Sequence, residues 1–544
     1  MGLDFATVGA SSSSTRSMAP RTLLPAALLT LGTLLTGCGA LPAKPESVAS
    51  TSVVDTADTP LAHAVAPLLA QHPRLTGLYP LDRGRDALLT RLALAMVAQK
   101  TLDVQYYIWH DDLTGRLMMA KLLEAADRGV RVRLLLDDVG ANADDDLLLA
   151  LSAHPNIEIR LFNPAANRNW RAMSSLLDLS RMNQRMHNKA LIADHRAIIV
   201  GGRNIGDEYF EANEEIDFSD LDVLCIGPVV PQVARSFDLF WNHKLAIPVK
   251  LFYPERKLDG MLDALRVEYG KQLQEDRASD YLRALEQQAM AERLRAVKLP
   301  FYWGRARALY DDPKKMDPDE DATLLAERLA PVAQKTHREL AVVSPYFVPG
   351  DDGTTWMANL VKSGVEVKVL TNSLAATDVA AVHAGYARYR KPLLEAGVKV
   401  FEWKPDPPPG QGSGLARSAK RSGGSGFGSG SGFRGSSRAS LHSKAFVFDR
   451  RNVFIGSLNM DPRSIELNTE IGVLFESDLL ASRMAEQFDR LVARDAYALR
   501  LDDQGNVVWR DGADGQEYDA DPKSSGWRRF TAWLMSLLPI ESQL

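Results

Sequence analysis

Residues 439–470 read ASLHSKAFVFDRRNVFIGSLNMDPRSIELNTE, and how this stretch folds decides how the rest of the chain must be arranged. Alternation over residues 441–448 predicts a strand, which puts His442 and Lys444 on one face, about 7 Å apart at ~3.3 Å per residue. Asp449-Arg450-Arg451-Asn452 reads as a turn. Val453-Phe454-Ile455 then returns as a second strand and brings Gly456-Ser457-x-Asn459 back beside the histidine. One short hairpin therefore gathers a histidine, a lysine and an amide, with an aspartate at its tip.

The arrangement recurs as Arg185-Met186-His187-x-Lys189-x4-Asp194, followed by Gly201-Gly202-x-Asn204. A single His-x-Lys is more often a half-exposed strand face than a site. Two copies in matching strand-turn-strand settings point to function. The repetition extends well beyond the motif: Val97-Ala98-Gln99-Lys100-Thr101 reappears as Val332-Ala333-Gln334-Lys335-Thr336, and Gly129-Val130-Arg131-Val132 as Gly364-Val365-Glu366-Val367, each 235 residues on. Within each unit a helix leads into a strand (102–108 or 340–348). A second helix (117–128 or 356–363) precedes the Gly-Val strand, and a further strand follows at 157–162 or 398–401. Strands alternating with helices predict an α/β layer on a mixed, largely parallel sheet, made twice. The histidines are 255 apart, so the second unit has gained 20 residues, and these fall in a Gly/Ser-rich basic loop at 410–440.

A chain of 544 residues exceeds one usual core. We expect a first domain at 76–250, a helix-rich connector at 251–320, a second domain at 321–500 and an amphipathic tail at 501–544. Hydrophobic content of 45% and charged content of 24% are ordinary, and a net charge of −5 argues against nucleic acid as a partner. Arg16, Arg21, an apolar run at 23–35 and Leu35-Thr36-Gly37-Cys38 resemble a lipoprotein signal over residues 1–37. Cys38 would then be lipidated and the protein held in the cell envelope, on the periplasmic side, with Met18 an alternative start. Cys225 would be left as a buried apolar residue. Residues 38–75, rich in Ala, Pro, Ser and Thr, read as a flexible tether. Near the C-terminus Trp527, Phe530, Trp533, Leu534, Leu537 and Leu538 fall on one helical face opposite Arg528, Thr531 and Ser536. Such a helix either lies in a membrane interface or packs on the second domain.

The paired motif suits phosphate chemistry. Histidine serves as a neutral nucleophile or a protonated acid near pH 7. Lys189 and Lys444 offset phosphate charge, while Asn204, Asn459 and Ser457 offer hydrogen bonds; Gly202 stands where the second copy has Ser457. Brought together across a pseudo-two-fold interface, the two sets supply one histidine to attack phosphorus and another to protonate the leaving alcohol. His187 is assigned as the nucleophile. Asp194 and Asp449 sit at the hairpin turns, as participants or as turn caps. Glu470 and Asp222, each just before a strand, are candidates to orient a histidine ring. No metal or other cofactor is required, since protonated lysine has no lone pair to donate and no HExxH or CxxC spacing occurs.

The two His-x-Lys-x4-Asp motifs with trailing Gly-x-x-Asn resemble the phospholipase D superfamily. Residues 77–544 resemble more narrowly the bacterial cardiolipin synthases, in particular the subtype termed C. That narrower likeness rests on Val104-Gln105-Tyr106-Tyr107-Ile108-Trp109, Gly202-Arg203-Asn204-Ile205-Gly206-Asp207, Thr371-Asn372-Ser373-Leu374 and Val382-His383-Ala384-Gly385-Tyr386. The resemblance implies two phospholipase D-like α/β/α domains with the active site at their interface. It also implies transfer of a phosphatidyl group onto phosphatidylglycerol at a membrane surface, with phosphatidylethanolamine as donor. A hydrolytic phospholipase D releasing phosphatidic acid is the alternative. A nuclease or phosphodiesterase of the superfamily is disfavoured by the charge, and a non-enzymatic scaffold by the intactness of both motifs. The lipoprotein-like start and the Gly/Ser-rich loop depart from that subtype. They leave open whether an accessory protein is needed.

Overall fold

The structure, a computed structural model, describes residues 41–42, 49–141, 144–168, 179–213, 217–272, 274–287, 289–295, 298–317, 319–405 and 439–537. The signal-like segment, Cys38, nearly all of the 410–440 loop and residues 538–544 lie outside that set. Both repeats belong to one compact unit, Pro42–Pro164 with Leu179–Leu544.

The first repeat supplies β1 (Thr76–Leu81), β2 (Thr101–Tyr106), β3 (Arg131–Asp137), β4 (Ile157–Phe162), β5 (Ala190–Ala193), β6 (Ala197–Gly201), β7 (Asp217–Ser219), β8 (Asp222–Ile226) and β9 (Ala246–Pro248). The rest of the chain supplies β10 (Tyr302–Tyr310), β11 (Glu339–Val343), β12 (Glu366–Asn372), β13 (Lys399–Trp403), β14 (Ala439–Leu441), β15 (Ala445–Phe448), β16 (Asn452–Gly456), β17 (Ile471–Glu476), β18 (Ala496–Leu501), β19 (Val507–Asp511) and β20 (Glu517–Tyr518). Pairing places β9-β4-β3-β2-β5-β6-β8-β1 in one run and β10-β17-β16-β15-β11-β12-β13-β18 in a second run of the same plan. The two runs meet where β1 lies antiparallel to β10, Gly77 opposite Trp303, and β19 and β20 extend the far edge. Among the described residues eighteen strands thus form one continuous sheet, with β7 and β14 paired separately.

The α/β class and the duplication follow the sequence. The expected predominance of parallel pairing does not hold: among the described residues the large sheet is parallel only at β2-β3-β4 and β11-β12-β13, and β7 and β14 form a separate parallel pair. Parallel neighbours need a long crossover, and helices supply it, for example Leu113–Asp127 and Gly350–Lys362. Gly129 (φ 93°) and Gly364 (φ 92°) stop these two helices in the left-handed region, which explains why Gly-Val recurs in both repeats. The motif strands are joined by tight turns and are therefore antiparallel. Buried Leu102, Val104, Leu134, Leu191 and Ile199 fix one repeat, and Leu340, Val367, Val369, Phe446 and Phe454 the other. Each such side chain contributes about 1.5–3 kcal/mol by leaving water.

Three boundaries need correction. The predicted tether is docked from Ser50 onward, where the Ser50 N–H donates to Asn242 at 3.1 Å. The Ser52 backbone N–H donates to Asp238 at 2.9 Å, and the helix Pro60–Gln71 starts on a Thr59 cap with proline in its first turn. Residues 251–320 do contain the helices Met261–Gln272 and Asp276–Glu286, but they end in β10, the strand that unites the two runs. The tail first adds β19 and β20 to the sheet. Among the described residues of the tail only Gly526–Ser536 is a helix.

Candidate active site

Each motif histidine stands where its repeat crosses to the other. The His187 backbone N–H donates to Thr469 O at 2.9 Å, and the Thr469 N–H to Arg185 O at 2.9 Å. On the other side β14 runs parallel to β7, Leu441 opposite Ser219, and the His442 N–H donates to Ser219 O at 2.8 Å.

Both rings are held by a carboxylate from the opposite repeat. His187 Nδ1 lies 2.9 Å from both oxygens of Glu470, and His442 Nδ1 lies 2.6 Å from Asp220 Oδ2. A carboxylate only accepts, so each Nδ1 carries a proton and Nε2 is the ring nitrogen left to act as a base or, once protonated, as an acid. Lys444 Nζ, 2.9 Å from the same His442 Nδ1, also donates to the His442 carbonyl, which fixes where the ammonium sits. Lys189 Nζ donates to His187 O at 2.7 Å and lies 5.5 Å from the centre of the Tyr107 ring.

Asp222 does not orient a histidine. It is buried between Arg91, at 2.8 Å, and Arg203, at 3.4 Å. The reason is register. β6 sets Gly201 opposite Asp222, whereas β16 sets Gly456 opposite Gly472, so the counterpart of Glu470 is Asp220, two residues earlier. Aligning Asp220-Leu221-Asp222-Val223-Leu224 with Glu470-Ile471-Gly472-Val473-Leu474 on the shared Val-Leu would have found it.

Asp194 and Asp449 are turned to backbone N–H groups rather than to either histidine. Asp194 accepts the backbone N–H groups of Gln99, Lys100 and Thr101 at 2.8–3.2 Å, and Asp449 those of His337, Arg338 and Glu339 over the same distances. Both lie in turns whose two central residues are left-handed, Asp194-His195 and Asp449-Arg450. Their short acceptor side chains suit that geometry and also staple the entry of β2 or β11. Asp449→Ala is expected to cost about 2–4 kcal/mol of stability from its lost charge-assisted bonds. Activity per folded molecule should be kept, which thermal unfolding together with active-fraction kinetics checks.

Asn204 is engaged on both sides, accepting from the Ile108 N–H at 3.2 Å and donating to Tyr209 at 2.9 Å. Asn459 donates to Ser464 at 3.3 Å, and its Oδ1 is buried without a partner. Ser457 donates to Glu470. At Gly202, its counterpart, a Cβ would approach Asp220 Oδ1 to 2.2 Å, so the glycine makes room for that carboxylate. Sequence reading also missed Tyr107, edge-on to His187 at 5.0 Å, and Phe218, stacked on His442 at 5.2 Å.

Burial and the neighbouring Lys189 and Lys444 hold His187 well below its ordinary pKa, keeping it neutral. Burial also pushes Glu470 up to about 7, against the pull of Lys189 and Ser457. It lowers Lys189 well below the usual range and Lys444 to about 8. Burial pushes Asp220 upward as well, but His442 and Lys444 outweigh it and hold the carboxyl below its ordinary value. His442 is lowered by burial and Lys444, while Asp220 opposes the shift. An arriving phosphate anion favours charge on both lysines. kcat/KM is therefore expected to fall as pH drops below about 7, where protonated Glu470 releases His187, and as pH rises past about 8, where Lys444 loses its charge. Glu470→Gln should remove the acid limb. A flat wild-type profile down to pH 5 would contradict this assignment.

Among the described residues one group could hold a metal, His110, Asp112 and Glu208, with ligand atoms within 4.8 Å of one another. Its members already pair internally, His110 with Glu208 at 3.1 Å, and Asp112 caps the helix Leu113–Asp127. The group makes no contact with either motif histidine.

The family described as cardiolipin synthase, PLD-like domain, matches residues 92–241 and 329–492, one match for each repeat. Cardiolipin synthase C of Escherichia coli (strain K12) is 44% identical over 487 residues, covering 88% of this chain and 99% of the relative. The chain belongs to this family. It is an enzyme of the phospholipase D-type phosphatidyltransferase kind. A cardiolipin synthase A of Pseudomonas syringae pv. syringae (strain B728a) is 27% identical over 69% of this chain and 60% of its own length. Among solved structures, a phosphatidylserine synthase of Haemophilus influenzae Rd KW20 superposes with a TM-score of 0.53 at 14% identity, over 89% of this chain and all of that one. At that identity the likeness speaks for the fold alone.

Proposed function

We propose that the protein makes cardiolipin by moving a phosphatidyl group from phosphatidylethanolamine to phosphatidylglycerol through a phosphohistidine. The observation that carries the reading is the pair of histidines, each with Nδ1 held by a carboxylate of the other repeat and a lysine beside it. His187, kept neutral, attacks phosphorus with Nε2; the P–N bond forms as the ester P–O bond to the headgroup alcohol breaks. His442, whose imidazolium is supported by the ionised Asp220, gives its proton to that leaving oxygen. The terminal hydroxyl of phosphatidylglycerol then attacks phosphorus, His442 takes its proton, and the P–N bond breaks. Lys189 and Lys444 offset the charge on the phosphoryl oxygens. The 44% identity to a cardiolipin synthase C supports the choice of product and acceptor.

Mass spectrometry of lipids after incubation with phosphatidylglycerol, with and without phosphatidylethanolamine, tests this. Cardiolipin formed only when both are present is expected. Phosphatidic acid as the main product would replace transfer by hydrolysis, and cardiolipin from phosphatidylglycerol alone would overturn the donor. Because the lysines supply the positive charge that a metal would otherwise supply, activity is expected to survive chelation. Complete loss in EDTA, restored by one divalent ion, would show that expectation wrong.

We place the protein, by the same reading, at the periplasmic side of the cell envelope through lipid on Cys38, a residue outside the described set. Its support is the Leu35-Thr36-Gly37-Cys38 sequence. Labelled fatty acid retained on the wild type and lost in Cys38→Ser is the expected outcome.

A further inference from the structure

The helix Gly526–Ser536 is mounted inside out. Ser525 caps it by accepting from the Arg528 N–H at 3.1 Å. Its small and polar side packs on the protein: Ala532 and Met535 meet Leu374 and Ala384, and the Arg528 guanidinium donates to Thr377 O. Its large apolar side faces out, with Trp527 66%, Phe530 47%, Trp533 57% and Leu537 61% exposed. The rings of Trp527, Phe530 and Trp533 follow one another at 5.7 and 5.9 Å. An ordinary surface helix turns its apolar stripe to the core. This one does the opposite, and the arrangement is stabilised only if something apolar covers the ridge.

We infer that this helix is a bilayer-docking ridge that seats the mouth of the active site on an anionic phospholipid surface. The inference rests on the phosphatidyl-transfer reading for the reason a bilayer must be met. Three observations select that occupant. From Pro522 to Leu537 the chain carries Lys523, Arg528 and Arg529 and no carboxylate, which complements anionic headgroups. A second copy fits poorly, because a self-complementary pairing would set Lys523 and Arg529 near their own copies with no acid in the segment to offset them. The ridge also adjoins the site. Thr377, which holds Arg528, precedes Asp378, whose carboxylate accepts from Tyr346 at 2.7 Å and acts electrostatically on both His442 and Lys444. Eleven residues at ~1.5 Å each reach about 17 Å, short of a ~30 Å hydrocarbon core, so the helix lies in the interface plane with its tryptophans at headgroup depth. No helix among the described residues is long and apolar enough to cross a membrane.

The test uses the full chain in a Cys38→Ser background, so that no acyl chain can hold it, and vesicles of mixed phosphatidylglycerol and phosphatidylethanolamine. Trp527→Glu/Trp533→Glu is expected to lower vesicle partitioning by at least about tenfold, and turnover on vesicle lipid with it. Turnover on short-chain, monomerically dissolved phospholipids should stay within about twofold, because the exposed ridge touches no reacting group. Unchanged partitioning would overturn the inference. So would conversion of a wild-type dimer to a monomer by the same variant, which would make the ridge a self-interface. If the wild type turned over neither form of lipid, the reaction proposed above would fail, and the partitioning result would still decide the ridge.

Discussion

His187→Ala and His442→Ala are each expected to remove turnover, by ~10²–10⁴-fold for a lost general acid and at least as much for a lost nucleophile. The two losses should differ in kind. His187→Ala leaves nothing to take the phosphatidyl group, so no covalent adduct should form on any substrate. His442→Ala keeps the neutral nucleophile and its Glu470 partner. It should still accept the group slowly from a donor whose leaving alcohol needs no proton, then stall. Labelled phosphatidyl trapped on His187 in the stalled variant is the expected result. Label on His442 in the converse experiment would reverse the roles, and full activity in either variant would end the two-histidine mechanism.

Asp220→Asn and Asp222→Asn, two residues apart, are expected to fail in opposite ways. An amide at 220 can no longer accept the Nδ1 proton as an anion, so the His442 imidazolium loses its support, and kcat should fall by ~10²–10⁴-fold with the fold intact. Asp222 touches no histidine. Its carboxylate offsets the buried Arg91 and Arg203, and removing one partner of such a group costs about 3–5 kcal/mol. Asp222→Asn should therefore unfold at a markedly lower temperature while the molecules that remain folded turn over normally. A fully active Asp220→Asn, or an Asp222→Asn that is inactive yet as stable as the wild type, would refute the register that separates them.

Much of the molecule was legible because duplication wrote each signal twice. The duplicated units, the strands that follow each Gly-Val pair and the return strand before each Gly-x-x-Asn are read in the right elements, whereas His442 and Lys444, expected within one strand over 441–448, lie between β14 and β15, and His187 and Lys189 lie just before β5. What was missed depends on contacts that sequence order conceals. Asp194 and Asp449 look catalytic by their constant spacing from the lysines, but that spacing is set by the hairpin turn and by the backbone N–H groups awaiting a cap at 99–101 and 337–339. Asp222 draws the eye and Asp220 escapes it because only pairing register shows which of the two corresponds to Glu470. Composition makes 38–75 look like a tether, although Thr59-Pro60 carries an ordinary helix-start signal. β10 was concealed within a charged, helical neighbourhood whose composition says nothing of which strand edges lie open on either side.

The seam between β1 and β10 also bears on ancestry. Two equivalent edge strands lying antiparallel about a pseudo-two-fold, with each repeat lending a carboxylate to the other's histidine, are what a symmetric dimer of one repeat would possess. Fusion of two gene copies would need only a span long enough to carry the chain from β9 to β10, and the helices at 261–295 supply one. Once the copies were joined, the two halves were free to diverge. Ser457 with Glu470 on one side, and Gly202 with Asp220 on the other, are differences of the kind by which a homodimer's two identical sites acquire separate roles.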